Sequence, residues 1–339
     1  MAERLEWNAD TDSAQRAARV IGLRALDAVV DARDRLRRRD AESVHDFRVR
    51  LRRLRSWIRV YRPVLDDTLR KRTRRRLARI GTATTGLRDL DVQIDWLRNE
   101  LKALGDHRLE AAVWILRSLE ADRRRAWRAF RKALDRDFSR TVRGLHRELA
   151  SYVVTHDVRT EDERSAMRTV TAKLLLEQAA ELARAVARIR SADDTMRLHR
   201  ARIVAKRTRY VLEPLAKRHA GFPLVADDLT RFQDVIGELR DAQLLAHRVT
   251  REVTSIVAER TALVASELVY QPSGRMDFAR IVRESPFDAS LSLLFARLRD
   301  RIASASRVAS TALASGTGAR LVEEITASAR SFAGADAAP

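Results

Sequence analysis

Two short stretches of this 339-residue chain repeat one arrangement of histidine and arginine. In the first, His45, Arg48, Arg52, Arg55, Arg59 and Arg62 follow one another at spacings of 3, 4, 3, 4 and 3 residues, which on an α-helix stacks them into a single stripe. In the second, His199, Arg202, Lys206 and Arg209 keep that spacing 154 residues later, and Arg53 pairs with Arg207 across the same offset. Stacking like charges one turn apart costs about 0.2–0.5 kcal/mol per pair, and no carboxylate stands on either stripe to offset it. An anion must. Guanidinium forks match phosphate oxygens bidentately, and an imidazole beside a phosphate gains a proton and becomes a further donor. Successive stripe residues rise by roughly 5 Å per turn, which suits a linear polymer charged every few ångströms. The expected chemistry is therefore polyanion binding that weakens with salt and with rising pH.

The elements that position these residues read as helices. The first runs from about Ser13 to Arg39 with Ile21, Leu23, Leu26, Val29, Val30 and Leu36 on its apolar side. Ser43-Val44-His45-Asp46 matches a capping box with Asp in the last place, so the basic helix is predicted to start just before His45. It should stop near Arg62, because Pro63 disfavours helix at the residue before it. Val44, Phe47, Leu51, Leu54, Ile58 and Tyr61 form an apolar seam beside the cationic one. In the second copy the seam is thinner (Leu198, Ala201, Ala205, Thr208, Leu212), while Ile203, Val204 and Val211 predict a more deeply buried helix. A third basic segment covers Asp67 to Ile80, and the Gly- and Thr-rich run Gly81 to Gly86 is expected to loosen or kink it. Further helices are predicted near 90–103, 108–133, 137–153, 165–190, 227–251, 258–268, 287–304 and 318–332, with a break at Asp193-Asp194 and a turn at Gly221 and Pro223.

The chain thus starts again after a polar run, THDVRTEDER from Thr155. Leu87-Arg88-Asp89 also recurs as Leu239-Arg240-Asp241, at an offset of 152. A period this long means duplicated bundles rather than a solenoid. The expected organisation is an N-terminal bundle over 1–155, a linker over 156–164, a C-terminal bundle over 165–333 and a disordered tail over 334–339. The fold class is all-α, with two duplicated helical bundles related by a pseudo-twofold axis.

Composition agrees with an anionic partner. The formal net charge is +20 and the pI about 11.3. Residues 33–79 hold 19 Lys and Arg against 6 Asp and Glu, and residues 197–218 hold 8 against 1; the remainder is balanced at 40 and 40. That distribution predicts an asymmetric clamp whose N-terminal jaw dominates binding. Cysteine is absent, which excludes disulfides, thiolate metal sites and cysteine nucleophiles. The N-terminus lacks the apolar segment of a signal peptide, and no apolar run approaches the roughly 20 residues of a membrane span; a cytoplasmic protein is expected.

Catalytic signatures are weak. His45-Asp46 and His156-Asp157 are isolated HD doublets, and no Walker A, GxGxxG, HExxH or GxSxG motif occurs. Neither metal nor cofactor is expected, and the protein reads as a binder rather than an enzyme. Trp7, Trp57, Trp96, Trp114 and Trp127 sit at helical spacing as core or interface anchors and do not interleave the basic stripe as base-stacking residues would.

With both stripes in order, the segments VHDFRVRLRRLR and LHRARIVAKRTRY, followed by GLRDLDVQ and FQDVIGELRDAQ, resemble the CHAD family, the conserved-histidine α-helical domain. The resemblance spans nearly the whole chain. It implies two four-helix bundles around a basic channel that binds inorganic polyphosphate, and association with polyphosphate granules in bacteria. Carried over by residue, it places His45, Arg48, Arg52, Arg53, Arg55 and Arg59 opposite His199, Arg202, Lys206, Arg207 and Arg209, with Arg79, Arg88, Arg231 and Arg240 as secondary candidates. The CYTH hydrolase domain often fused to this family would show strands and an ExExK signature, neither of which is present, so an associated hydrolase is expected to be a separate protein. The alternative partner at this net charge is nucleic acid, bound through its phosphates without sequence preference.

Overall fold

The computed structural model describes residues 7, 9, 12–36, 40–65, 69–104, 110–151, 166–270 and 288–334. The expected linker and the tail beyond Gly334 lie outside these. All regular structure among the described residues is helical, and one isolated bridge joins Ser13 to Ala166. The helices are α1 (Ala14–Asp34), α2 (Ala41–Val60), the short α3 (Arg62–Leu65), α4 (Lys71–Leu104), α5 (Glu110–Ala150), α6 (Met167–Val186), α7 (Thr195–Leu212), a 3-10 helix (Glu213–Arg218), α8 (Gly221–Tyr270), α9 (Asp288–Ala314) and α10 (Thr317–Ala333).

Four helices close on themselves in the N-terminal part, with α1 against α2, α2 against α4, α4 against α5 and α5 against α1. In the C-terminal part α6, α7, α8 and α10 do the same, and α9 packs along α8 and reaches α5. Between the two parts α1 meets α6, α2 meets α7 and α4 meets α8. Gly316, in the left-handed region at φ 70°, divides α9 from α10.

Local chemistry explains the helix limits and corrects several expectations. Asp40, not Ser43, caps α2: its carboxylate accepts from Glu42 N at 2.9 Å, while Ser43 Oγ donates to the Asp40 carbonyl. Asp46, the assumed closing member of the box, instead holds Arg35 and Arg50 at 3.0 and 2.8 Å. The Gly81–Gly86 run does not break α4, which continues for 34 residues; Thr82, Thr84 and Thr85 return their hydroxyls to carbonyls of the preceding turn. Likewise the segments predicted at 108–133 and 137–153 are one helix of 41 residues, and those at 227–251 and 258–268 lie within a single α8 of 50. Asp194 caps α7 as the acidic break implied.

One apolar core runs through both parts, from Val44, Phe47, Leu51 and Leu54 of α2 to Leu198, Val204 and Val211 of α7 and Phe332 of α10. Tyr61 Oη bonds Thr171 Oγ1 across it at 2.8 Å. A second cluster joins the far ends of α4 and α5 to α8 and α9 through Ile94, Leu97, Ile115, Leu245 and Leu298. Trp7, Trp57 and Trp127 are buried, and Trp96 and Trp114 pack against the second cluster. Ile203 is 41% exposed, against expectation: it occupies the solvent side of α7, which buries Val204 and Val211 instead.

Candidate functional site

The apolar seams fix which way the stripes face. Val44, Phe47, Leu51 and Leu54 turn α2 onto the core, and Leu198, Ala201, Ala205 and Thr208 do so for α7. The cationic faces beside them come together where α2, α4, α7 and α8 meet. Arg52 Nε donates to Tyr210 Oη at 2.8 Å, which ties the first stripe to α7. Arg52, Arg53 and Arg209 stack over the buried Tyr210 ring at 5.4, 5.9 and 4.8 Å.

The cluster is short of negative charge. Burial, then the charges of Arg52, Arg202, Arg209 and Arg48, push the Lys206 ammonium down to about 6. Burial and Arg52 push Arg48 down to about 10, against a smaller restoring effect of Asp89. Arg202 and Arg55 are also lowered, first by burial, then by Asp241 (opposing) and Arg52 for Arg202, and by Arg59 and Arg52 for Arg55. His45 is lowered by burial and by Arg88, Arg52 and Arg48, and His199 by burial and by Arg240, Arg202 and Lys206. The His199 Nδ1 atom is buried without a hydrogen-bond partner. Asp89 and Asp241 face the same cations from α4 and α8, yet burial raises both; Asp241 raises Asp89 further and Glu238 raises Asp241.

The structure therefore gathers His45, Arg48, Arg52, Arg55, Arg88, His199, Arg202, Lys206, Arg209 and Arg240 into one electrostatic neighbourhood. Arg209 is partly committed, to Thr230 Oγ1 at 3.1 Å and Glu213 at 3.6 Å, and Arg53 pairs with Glu213 at 2.6 Å. Arg207 is 6% exposed and turned toward α6, where it bonds Glu181 at 2.6 Å and Gln178 at 3.4 Å. One step round the helix is about 100°, enough to carry it away from its stripe. Arg59 is exposed beside Arg207, at a cavity of 410 Å³ that Gln178 also lines. Arg79 forks onto Asp137 of α5 through two bonds of 3.1 Å, and Arg231 pairs with Asp228 near Glu324. Arg207, Arg79 and Arg231 are thus each committed to a carboxylate, on α6, α5 and α8, while Arg59 adjoins Arg55 at the edge of the neighbourhood.

Some members of the neighbourhood carried little signal in the sequence. Tyr210 and Glu213 have no like residue in the first copy, where Ser56 and Arg59 stand 154 positions earlier. Asp89 and Asp241 were visible only as repeated Arg-Asp doublets; in the fold each also feels the charge of a stripe arginine, Arg48 for Asp89 and Arg202 for Asp241. The other doublet, His156-Asp157, lies outside the described residues. No group of three or more potential metal ligands occurs among the described residues.

The CHAD domain profile matches residues 21–250, from α1 into α8, and with them both stripes. The chain belongs to the CHAD family. Solved structures agree on the fold: the crystal structure of the CHAD domain from the plant Ricinus communis aligns at a TM-score of 0.59 and 19% identity, covering 83% of this chain and 93% of that one. PptA from Streptomyces chartreusis aligns at a TM-score of 0.58 and 17% identity, covering 89% and 99%. No curated protein sequence matches the chain. As a CHAD protein it is all-α, and no helix among its described residues is long and apolar enough to cross a membrane.

Proposed function

We propose that this CHAD protein binds inorganic polyphosphate at the meeting of α2, α4, α7 and α8, and does so without chemical turnover. The observation that carries the reading is the half-buried Lys206, held near neutrality by burial and by Arg52, Arg202, Arg209 and Arg48, whose charge Asp89, Asp241, Asp234 and Glu213 offset only in part. A multivalent anion supplies the missing charge. Phosphate oxygens bonded by Arg48, Arg52, Arg202 and Lys206 restore the protonated lysine and add His45 and His199 as donors. The two halves contribute as duplicated units, and binding targets the protein to polyphosphate granules in the cytoplasm. Asp46, beside His45, is paired with Arg35 and Arg50, which supports reading the site as a binder rather than a hydrolase.

Titration of defined-length polyphosphate against the protein and a His45→Ala/Arg48→Ala/Arg52→Ala variant tests this. Wild type is expected to bind at least tenfold more tightly, about 1.4 kcal/mol. Equal affinities would remove the reading, as would displacement by duplex DNA at equal phosphate concentration, which would make the cluster a general nucleic-acid binder. Phosphate release on adding Mg²⁺ or Mn²⁺ would make it an enzyme.

A further inference from the structure

Two glycines lie inside long helices of this site, where glycine is the poorest helix former apart from proline. On Gly81 of α4, an added Cβ would fall on Arg55 Nη1 and lie 2.9 Å from its Cζ. On Gly237 of α8, it would lie 2.8 Å from Arg202 Nη2 and 3.2 Å from its Nε. Each neighbour is a guanidinium from the stripe of the adjacent helix. Arg202 Nε also donates to the Gln233 carbonyl at 3.0 Å, one turn before Gly237, so this side chain lies on the backbone of α8. Gly86 is a contrast on the same α4: a Cβ there meets nothing within 4 Å.

We infer that Gly81 and Gly237 are positioning residues of the polyanion site, seating the Arg55 and Arg202 guanidiniums on the backbones of α4 and α8. The inference rests on the polyphosphate reading. The nearest atom a methyl would meet at either position is a terminal guanidinium nitrogen of a flexible side chain, so the backbone need not give way. The arginine moves instead. Because alanine favours a helix over glycine, binding and stability should change in opposite senses.

The experiment compares wild type, Gly81→Ala, Gly237→Ala and Gly86→Ala by melting temperature and by affinity for defined-length polyphosphate. All three variants are expected to melt at or above wild type. Gly81→Ala and Gly237→Ala should bind about five- to tenfold more weakly, the loss of roughly one charge-assisted contact, while Gly86→Ala binds as wild type. In an Arg202→Ala background, Gly237→Ala should cost nothing further. The Arg202 Nε–H NMR signal should shift in Gly237→Ala and stay in place in Gly86→Ala. Unchanged affinity in both seat variants with wild-type binding intact overturns the seats alone, as does an undiminished loss in the Arg202→Ala background or a fall in melting temperature. Wild type that fails to bind polyphosphate overturns the site and the seats together.

Discussion

Lys206 concentrates the conflict between stability and function in one side chain. In the anion-free protein its pKa is about 6, against 10.5 for the ordinary group. Between those values the unfolded chain holds a proton that the folded chain lacks, so folding stability falls as pH drops from about 10.5 toward 6 and levels below that. Lys206→Met should flatten this slope and raise Tm by about 1–2 °C, the shift that roughly 1 kcal/mol produces when a chain of 339 residues unfolds as one unit. The same variant should weaken polyphosphate binding about tenfold, near 1.4 kcal/mol. Scanning calorimetry across pH and titration at fixed salt measure the two effects; a variant that melts lower and binds normally would contradict this account. Binding should also draw protons onto Lys206, His45 and His199. Wild-type affinity therefore falls as pH rises above about 6, and the proton uptake appears as a buffer-dependent heat in titration calorimetry.

At the scale of the element, charge counted along the chain and charge gathered at the site imply different balances between the two jaws. Six cations of the first basic window, Lys71 to Arg79, stand on the opening turns of α4, and Arg79 is spent on Asp137. In the shared neighbourhood α2 and α4 supply Arg48, Arg52, Arg55 and Arg88, and α7 and α8 supply Arg202, Lys206, Arg209 and Arg240. Triple-alanine variants of His45/Arg48/Arg52 and of His199/Arg202/Lys206 should therefore lose affinity to within about threefold of each other, a difference near 0.7 kcal/mol. A much larger loss from the N-terminal triple would restore the asymmetric clamp. The cap of α2 is separable from binding: Asp40→Ala removes the carboxylate that accepts from Glu42 N and should cost about 1 kcal/mol in chemical denaturation while leaving polyphosphate affinity intact.

Across the whole molecule, the core does not respect a boundary at the linker. Tyr61 and Thr171 bond through it, and one apolar cluster includes residues of both parts. Thermal unfolding should therefore be a single cooperative transition with matching calorimetric and van't Hoff enthalpies, shifted upward by polyphosphate. Two resolved transitions would show that the parts fold independently. Affinity should also fall with salt, and the log–log slope should flatten by about 0.7 for each stripe cation replaced by alanine, by analogy with single-stranded nucleic acids.

The sequence by itself determined that the chain is helical, that it belongs with CHAD proteins and which helices carry the stripes, because a cation every three or four residues beside an apolar seam has only one periodic solution. It also carried the helix break at Asp193-Asp194 and the anchoring role of the tryptophans, which depend on neighbours near in the chain. Only the tertiary structure decided that Arg207 turns to Glu181 while Lys206 turns to Arg52, since both flank the same apolar face and the choice lies in what α6 and α2 present. It likewise decided that the Gly81–Gly86 run is continuous helix. A glycine's local signal is flexibility, but the space left by its missing side chain has meaning only once the arginine of another helix fills it.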